Sequence, residues 1–145
     1  MNEWESLSGK VGDLARSTGL WIREEQKQFQ KESVEEKDHN SLVSYVDKTA
    51  EEKLVEGLSK LLPEAGFITE EATVENERKE LSWVIDPLDG TTNFIHGLPV
   101  FAVSIGLLKG DDLVSGIVYE CGQDELFTSW KNGGAWCNGD RIRVS

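Results

Sequence analysis

Residues 83–94, WVIDPLDGTTNF, constrain this chain more than any other stretch. The segment starts as an apolar run suited to a buried strand and then turns abruptly polar. Two carboxylates, Asp86 and Asp89, stand at that switch. Pro87 brings no N–H to a ladder, so the strand is expected to stop near Asp86. Gly90 permits close backbone approach, and Thr91, Thr92 and Asn93 can cap or start a short helical turn. A strand that ends in two acids, a glycine and hydroxyls is laid out to hold a hard cation beside a phosphate. Carboxylates and a carbonyl supply oxygen ligands, and free N–H groups at a helix start supply anion donors.

With 145 residues, the chain is long enough for one domain with a real core. Its net charge of −12, from 27 acidic against 15 basic residues, argues against nucleic acid or an anionic membrane as a charge-driven partner. No apolar run approaches the roughly 20 residues of a spanning helix, and the N-terminus lacks a signal-peptide pattern. Cys121 and Cys137 fall outside any paired metal-ligand spacing. Free buried thiols in a reducing cytoplasm are expected rather than a disulfide.

Trp4, Leu7, Val11, Leu14, Thr18 and Trp21 recur at helical spacing and predict a first helix with these residues on one face. Gly9, Gly12 and Gly19 each weaken it by about 1 kcal/mol relative to alanine, so packing against a sheet must stabilise it. Residues 26–40 are polar apart from Phe29 and Val34 and read as a surface loop or weak hairpin. A second helix is expected to follow Asp47 as its N-cap, to bury Ala50, Leu54, Leu58 and Leu61, and to stop at Pro63 and Gly66. Phe67 and Ile68 make a short strand running into Thr69, Glu70 and Glu71, and residues 72–80 read as a charged connector. Strands are expected over 100–108, 113–119 and 126–130, separated by turns at 109–112 and 122–124. Further turn signals lie at 131–134 and 138–140. The class is α+β, or layered α/β, with helices packed on a largely antiparallel sheet.

The stretch WVIDPLDGTTNF resembles the central motif of the inositol monophosphatase family of metal-dependent phosphomonoesterases. Three further elements resemble that family in the same order and spacing. They are Leu42-Val43-Ser44-Tyr45-Val46-Asp47, Gly66-Phe67-Ile68-Thr69-Glu70-Glu71 and Gly134-Ala135-Trp136-Cys137-Asn138-Gly139. The resemblance covers nearly the whole chain and implies the N-terminal half of the inositol monophosphatase and sugar phosphatase fold. It implies one Mg²⁺, or Mn²⁺, on Glu70, Asp86 and the Leu88 carbonyl, and a second shared by Asp86 and Asp89. The donors themselves point the same way: hard oxygens with no suitable His or Cys nearby favour Mg²⁺ or Mn²⁺ over Zn²⁺. Three gathered acids would repel one another unless a cation neutralised them. His96 reads as a turn residue, and His39 carries no specific signal.

The activity implied is attack of water on a small phosphate monoester. Glu70 and Thr91 would position and deprotonate that water, with Asp47 hydrogen-bonded to Thr91. Gly90, Thr91 and Thr92 would bind the phosphate, and Lys37 would face it as a cation from a mobile arm. Inositol 1-phosphate is the default substrate, while relatives act on fructose 1,6-bisphosphate, 3′-phosphoadenosine nucleotides and histidinol phosphate. No nucleic-acid or membrane partner is implied.

Two departures from the family pattern stand out. Thr69 replaces a usual glycine, which could shift the backbone at Glu70. The family also runs to roughly twice this length and carries a tryptophan followed by aspartate in its second half. Here Trp130 precedes Lys131, and Trp136 precedes Cys137. Residues 1–145 are therefore expected to form an N-terminal metal-binding domain, with the C-terminal domain absent and the isolated chain weakly active. A sheet face left open in this way would suit a homodimer. The alternative is a non-catalytic binding or regulatory module derived from the family.

Overall fold

The computed structural model describes residues 3–31 and 36–144, with the side chains of residues 30–40 outside the description. Two long helices, α1 (Glu3–Lys31) and α2 (Glu36–Leu61), precede a short strand, β1 (Gly66–Thr69). The rest is β2 (Leu81–Asp89), a five-residue helix α3 (Thr91–Ile95), and the strands β3 (Ala102–Lys109), β4 (Asp112–Glu120), β5 (Glu125–Trp130), β6 (Ala135–Cys137) and β7 (Asp140–Ile142). Among the described residues the seven strands form one sheet in chain order, and only the β1–β2 pairing is parallel. The expected α+β architecture, helices on a mostly antiparallel sheet, is the one observed.

The apolar spacing explains why the helices lie where they do. Val11, Ala15, Ile22 and Phe29 of α1 are buried, together with Ser8, Thr18 and Gln26. Val43, Val46, Ala50, Leu54 and Leu58 of α2 join them over Trp83, Ile85, Val103, Ile105, Leu107 and Ile117 of the sheet. Trp4, Leu7, Leu14 and Trp21, expected on the buried face of α1, are only partly buried and flank this line. Leu14 packs against Gly57 of α2. Gly12, Gly19 and Gly57 mark close approaches, whereas Gly9 faces open space. A Cβ on Gly19 would stand 2.3 Å from the Tyr119 ring, so the backbone can lie on the sheet only without a side chain there.

Four sequence expectations are corrected. The segment from Gln26 is no loop: α1 continues to Lys31 and α2 already begins at Glu36. Val34 lies outside the described residues. Asp47 does not cap α2 but sits well inside it, on the solvent-shielded side between Val46 and Ala50. The strand does not stop near Asp86, because β2 runs through Pro87 to Asp89. The third strand begins at Ala102, leaving Val100 61 % exposed. Both cysteines are free, Cys121 buried and Cys137 half-buried. Among the described residues no helix is long and apolar enough to cross a membrane.

One sheet face lies under the helices; the other is open. Val84, Leu113, Val118 and Ile142 are exposed, and with Ile68 and Phe127 they line a trough of about 680 Å³. Ser104, Gly106, Gly116 and Ser129 form its floor, and Glu70 and Asp86 stand on its wall.

Candidate metal centre

The site is built where β1 ends beside β2, which continues to Asp89. Their parallel register pairs Thr69 with Ile85, so Glu70, the first residue past β1, follows on the level of Asp86, which is still paired with Ser104 of β3. The two carboxylates lie close enough for each to alter the other's proton affinity. Anions that close repel unless a proton or a cation lies between them.

Asp89 reaches the same side through an irregularity. Asp86 pairs with Ser104 and Asp89 with Ala102, so β2 spends three steps where β3 spends two. In a regular ladder three steps of strict alternation would send Asp89 to the helix side. The bulge around Pro87 and Leu88 restores the parity and turns both acids to the open face, a known use of bulges beside functional sites. Pro87 and the Leu88 side chain are buried in the process. A proline that should end a strand instead marks where it bends.

The next turn is equally constrained. Gly90 has φ 101° and ψ 39° and caps α3 with no side-chain bond. A Cβ there would lie 2.8 Å from the Val100 carbonyl oxygen. Phe94 N–H donates to the Gly90 carbonyl (3.0 Å), and Asn93 Nδ2 donates to the Val100 carbonyl (2.8 Å). Behind α3, Gln26 of α1 donates from Nε2 to the carbonyls of Phe94 (3.2 Å) and Leu98 (3.1 Å). Phe94 packs between Phe29 and Phe101.

Thr69, the residue in place of the family's glycine, stays in the strand. Its N–H and Oγ1 both donate to Asn76 Oδ1 (3.3 and 3.1 Å), and Asn76 Nδ2 returns a bond to its carbonyl (3.2 Å). The backbone leading into Glu70 is thereby held. Below the site, Asp47 and Glu51 stand one turn apart on α2. Glu51 is fully buried and accepts bonds from Glu71 and Thr73.

Electrostatics set this corner apart from the rest of the molecule. Burial, followed by the charges of Glu71, Asp86, Glu70 and Glu51, pushes the Asp47 carboxyl up to about 7. Glu70 is raised by desolvation of its carboxylate end and then by Asp86. Asp86 is raised by burial and by Asp89, against the opposing effect of the Leu88 N–H and Glu70. Concentrated acids that resist ionisation are characteristic of functional sites.

A divalent cation fits this donor set on one structural ground. Asp86 Oδ1 is buried and has no hydrogen-bond partner, a costly state for a carboxylate oxygen. A cation would complete it while relieving the repulsion with Glu70. Among the described residues, no three His, Cys, Asp or Glu side chains yet converge on one point. No hydrogen bond joins Thr91 to Asp47 among them either. The side chains of Lys37 and His39 lie outside the described residues. His96 closes α3 as its C-cap. Glu51 and Gln26 escaped the sequence reading. The available signals were a carboxylate beside Ala50 in an apolar stripe, and a polar residue on the line Ile22–Phe29.

The fold and site together define a layered α/β protein whose sheet edge gathers carboxylates beside a glycine turn. The sequence profile of the Inositol monophosphatase family matches residues 5–145. The chain belongs to that family. Over 135 residues it is 44 % identical to the fructose-1,6-bisphosphatase/inositol-1-monophosphatase of Aquifex aeolicus, covering 93 % of this chain and 50 % of that protein. It is 36 % identical over 146 residues to inositol monophosphatase 1 of Rattus norvegicus, covering 98 % and 52 %. The crystal structure of extragenic suppressor protein SuhB from Bartonella henselae superposes with a TM-score of 0.82 at 34 % identity. That match covers 97 % of this chain and 54 % of the other. The chain spans about half the length of the curated relatives it matches.

Proposed function

We propose that residues 1–145 form the N-terminal, metal-binding part of a Mg²⁺-dependent phosphomonoesterase acting on a small phosphate ester such as inositol 1-phosphate. The observation that carries this reading is the pairing of Glu70 with Asp86, whose buried Oδ1 has no partner. In this reading Glu70, Asp86, Asp89 and the Leu88 carbonyl hold Mg²⁺, with Mn²⁺ able to replace it. The bound cation supplies Lewis-acid polarisation of the phosphoryl group and acidifies water.

The chain's own groups do the rest. Glu70 takes a proton from the attacking water at its carboxylate. Thr91 orients that water, and Asp47 in turn orients Thr91. The N–H groups of Gly90, Thr91 and Thr92, at a helix start without a side-chain cap, bind phosphate oxygens. The open sheet face supports a homodimer of the isolated chain, and two free thiols suit a cytoplasmic setting.

Phosphate release from inositol 1-phosphate with and without Mg²⁺, in wild type and Glu70→Gln, tests the reading. Mg²⁺-dependent release lost in the variant supports it, whereas Mg²⁺-independent release equal in both sinks it. One observation favours a non-catalytic module instead: the exposed apolar trough around Val84 and Val118. A chain that binds metal yet releases no phosphate, alone or with the remainder of the full-length protein, would favour that alternative.

A further inference from the structure

Glu51 is a fully buried carboxylate with no cation beside it among the described residues. Its hydrogen-bond partners among the described residues all belong to the loop that follows β1. Glu71 N–H donates to Oε1 (2.9 Å), while Thr73 donates to Oε2 from both N–H (2.8 Å) and Oγ1 (2.5 Å). Burying an anion is costly unless such charge-assisted bonds replace water, and here every bond goes to one loop.

That loop is strained. Ala72, between the two gripped residues, has φ 51°, a left-handed conformation that an alanine keeps only when its surroundings impose it. The turn directs two amides to one side, making an anion-binding concavity of the kind that successive N–H groups form. Glu51 fills it. On the other flank of Glu70, Asn76 grips Thr69 from both N–H and carbonyl. Glu70 therefore projects toward Asp86 from a backbone clamped on both sides.

We propose that Glu51 is a positioning residue for Glu70. It holds the 71–73 loop in its strained form and so aims the Glu70 carboxylate at Asp86, without touching metal or substrate itself. The inference rests on the reading of Glu70 and Asp86 as metal ligands. A glutamine at position 51 would turn an NH₂ donor toward one of the amides, so Glu51→Gln should release the loop while preserving volume.

The test is Mn²⁺ binding to the purified chain, followed by electron paramagnetic resonance, for wild type, Glu51→Gln, Glu70→Gln and the double variant. Amide hydrogen exchange of Glu71 and Thr73 is read in the metal-free proteins. Glu51→Gln should weaken Mn²⁺ about tenfold to a hundredfold, as loss of a ligand's support does, and should speed exchange at both amides. The double variant should bind no more weakly than Glu70→Gln alone, because Glu51 acts through Glu70. Where Glu51→Gln fails to fold, Thr73→Val carries the test with a smaller loss in the same direction. Unchanged affinity in the folded variant, or losses that multiply in the double variant, overturns the inference while leaving the ligand reading intact. A wild type that binds no Mn²⁺ overturns both.

Discussion

Asp86 and Asp89 project from one face of the sheet because β2 carries one more residue between them than β3 does between Ser104 and Ala102. This bulge converts a spacing of three, which would split the acids across the sheet, into a shared face. It also explains why Pro87 is tolerated inside a strand: the bulged residues leave the regular ladder, where a missing N–H costs little.

The arrangement carries a cost in the metal-free protein. Burial and the neighbouring Asp89 both disfavour the charged form of Asp86. Asp86→Asn should therefore melt no lower than wild type without metal, and higher at neutral pH. If Asp86 were only a turn-capping acid, the variant would lose about 1 kcal/mol instead. Circular-dichroism melts of the two metal-free proteins decide the sign.

Gly90 is fixed by both conformation and space. Its φ of 101° and the Val100 carbonyl 2.8 Å from a built Cβ leave no room for a side chain. Gly90→Ala should cost about 1–3 kcal/mol, read by urea denaturation. A loss below a few tenths of a kcal/mol would show that the turn relaxes freely.

The pH dependence of the metal-free chain follows from Asp47, held up to about 7 by burial and then by Glu71, Asp86, Glu70 and Glu51. A carboxyl whose folded pKa is raised contributes stability that is complete below its unfolded value of 3.8 and is lost as pH rises through about 7. The melting temperature should thus rise as pH falls from about 8 toward about 5, and Asp47→Asn should flatten that rise. Arg16, paired bidentately with Asp124, lowers that carboxyl. Its contribution acts in the opposite sense, fading only in more acid solution. A wild-type melting temperature that drops as pH is lowered from about 8 to about 5 contradicts the assignment.

Particular residues show what could be read from the sequence. The strands after Phe101 were legible because Gly and Asp turns separate apolar runs, and β4 and β5 fall within a residue or two of expectation. The site motif was legible for the same reason, as an apolar run breaking into acids and glycine. The end of α1 was not. Gln26 looks like surface, yet its amide satisfies two backbone carbonyls behind α3, a partnership between residues distant in sequence. Asp47 has the chemistry of an N-cap but serves inside a helix, where the acids around it come from the segment after β1, from β2 and from α2 itself. Pro87 obeyed a local rule that the register of β3 overrode.

The most direct measurement is calorimetric titration of Mg²⁺ into the metal-free chain, with melts in the presence and absence of millimolar Mg²⁺. A ligand that binds only the folded state raises the melting temperature. The account predicts heat of binding and an upward shift in wild type, both abolished by Asp86→Asn. Flat heats and superimposable melts in wild type, or a shift that survives in Asp86→Asn, would contradict it.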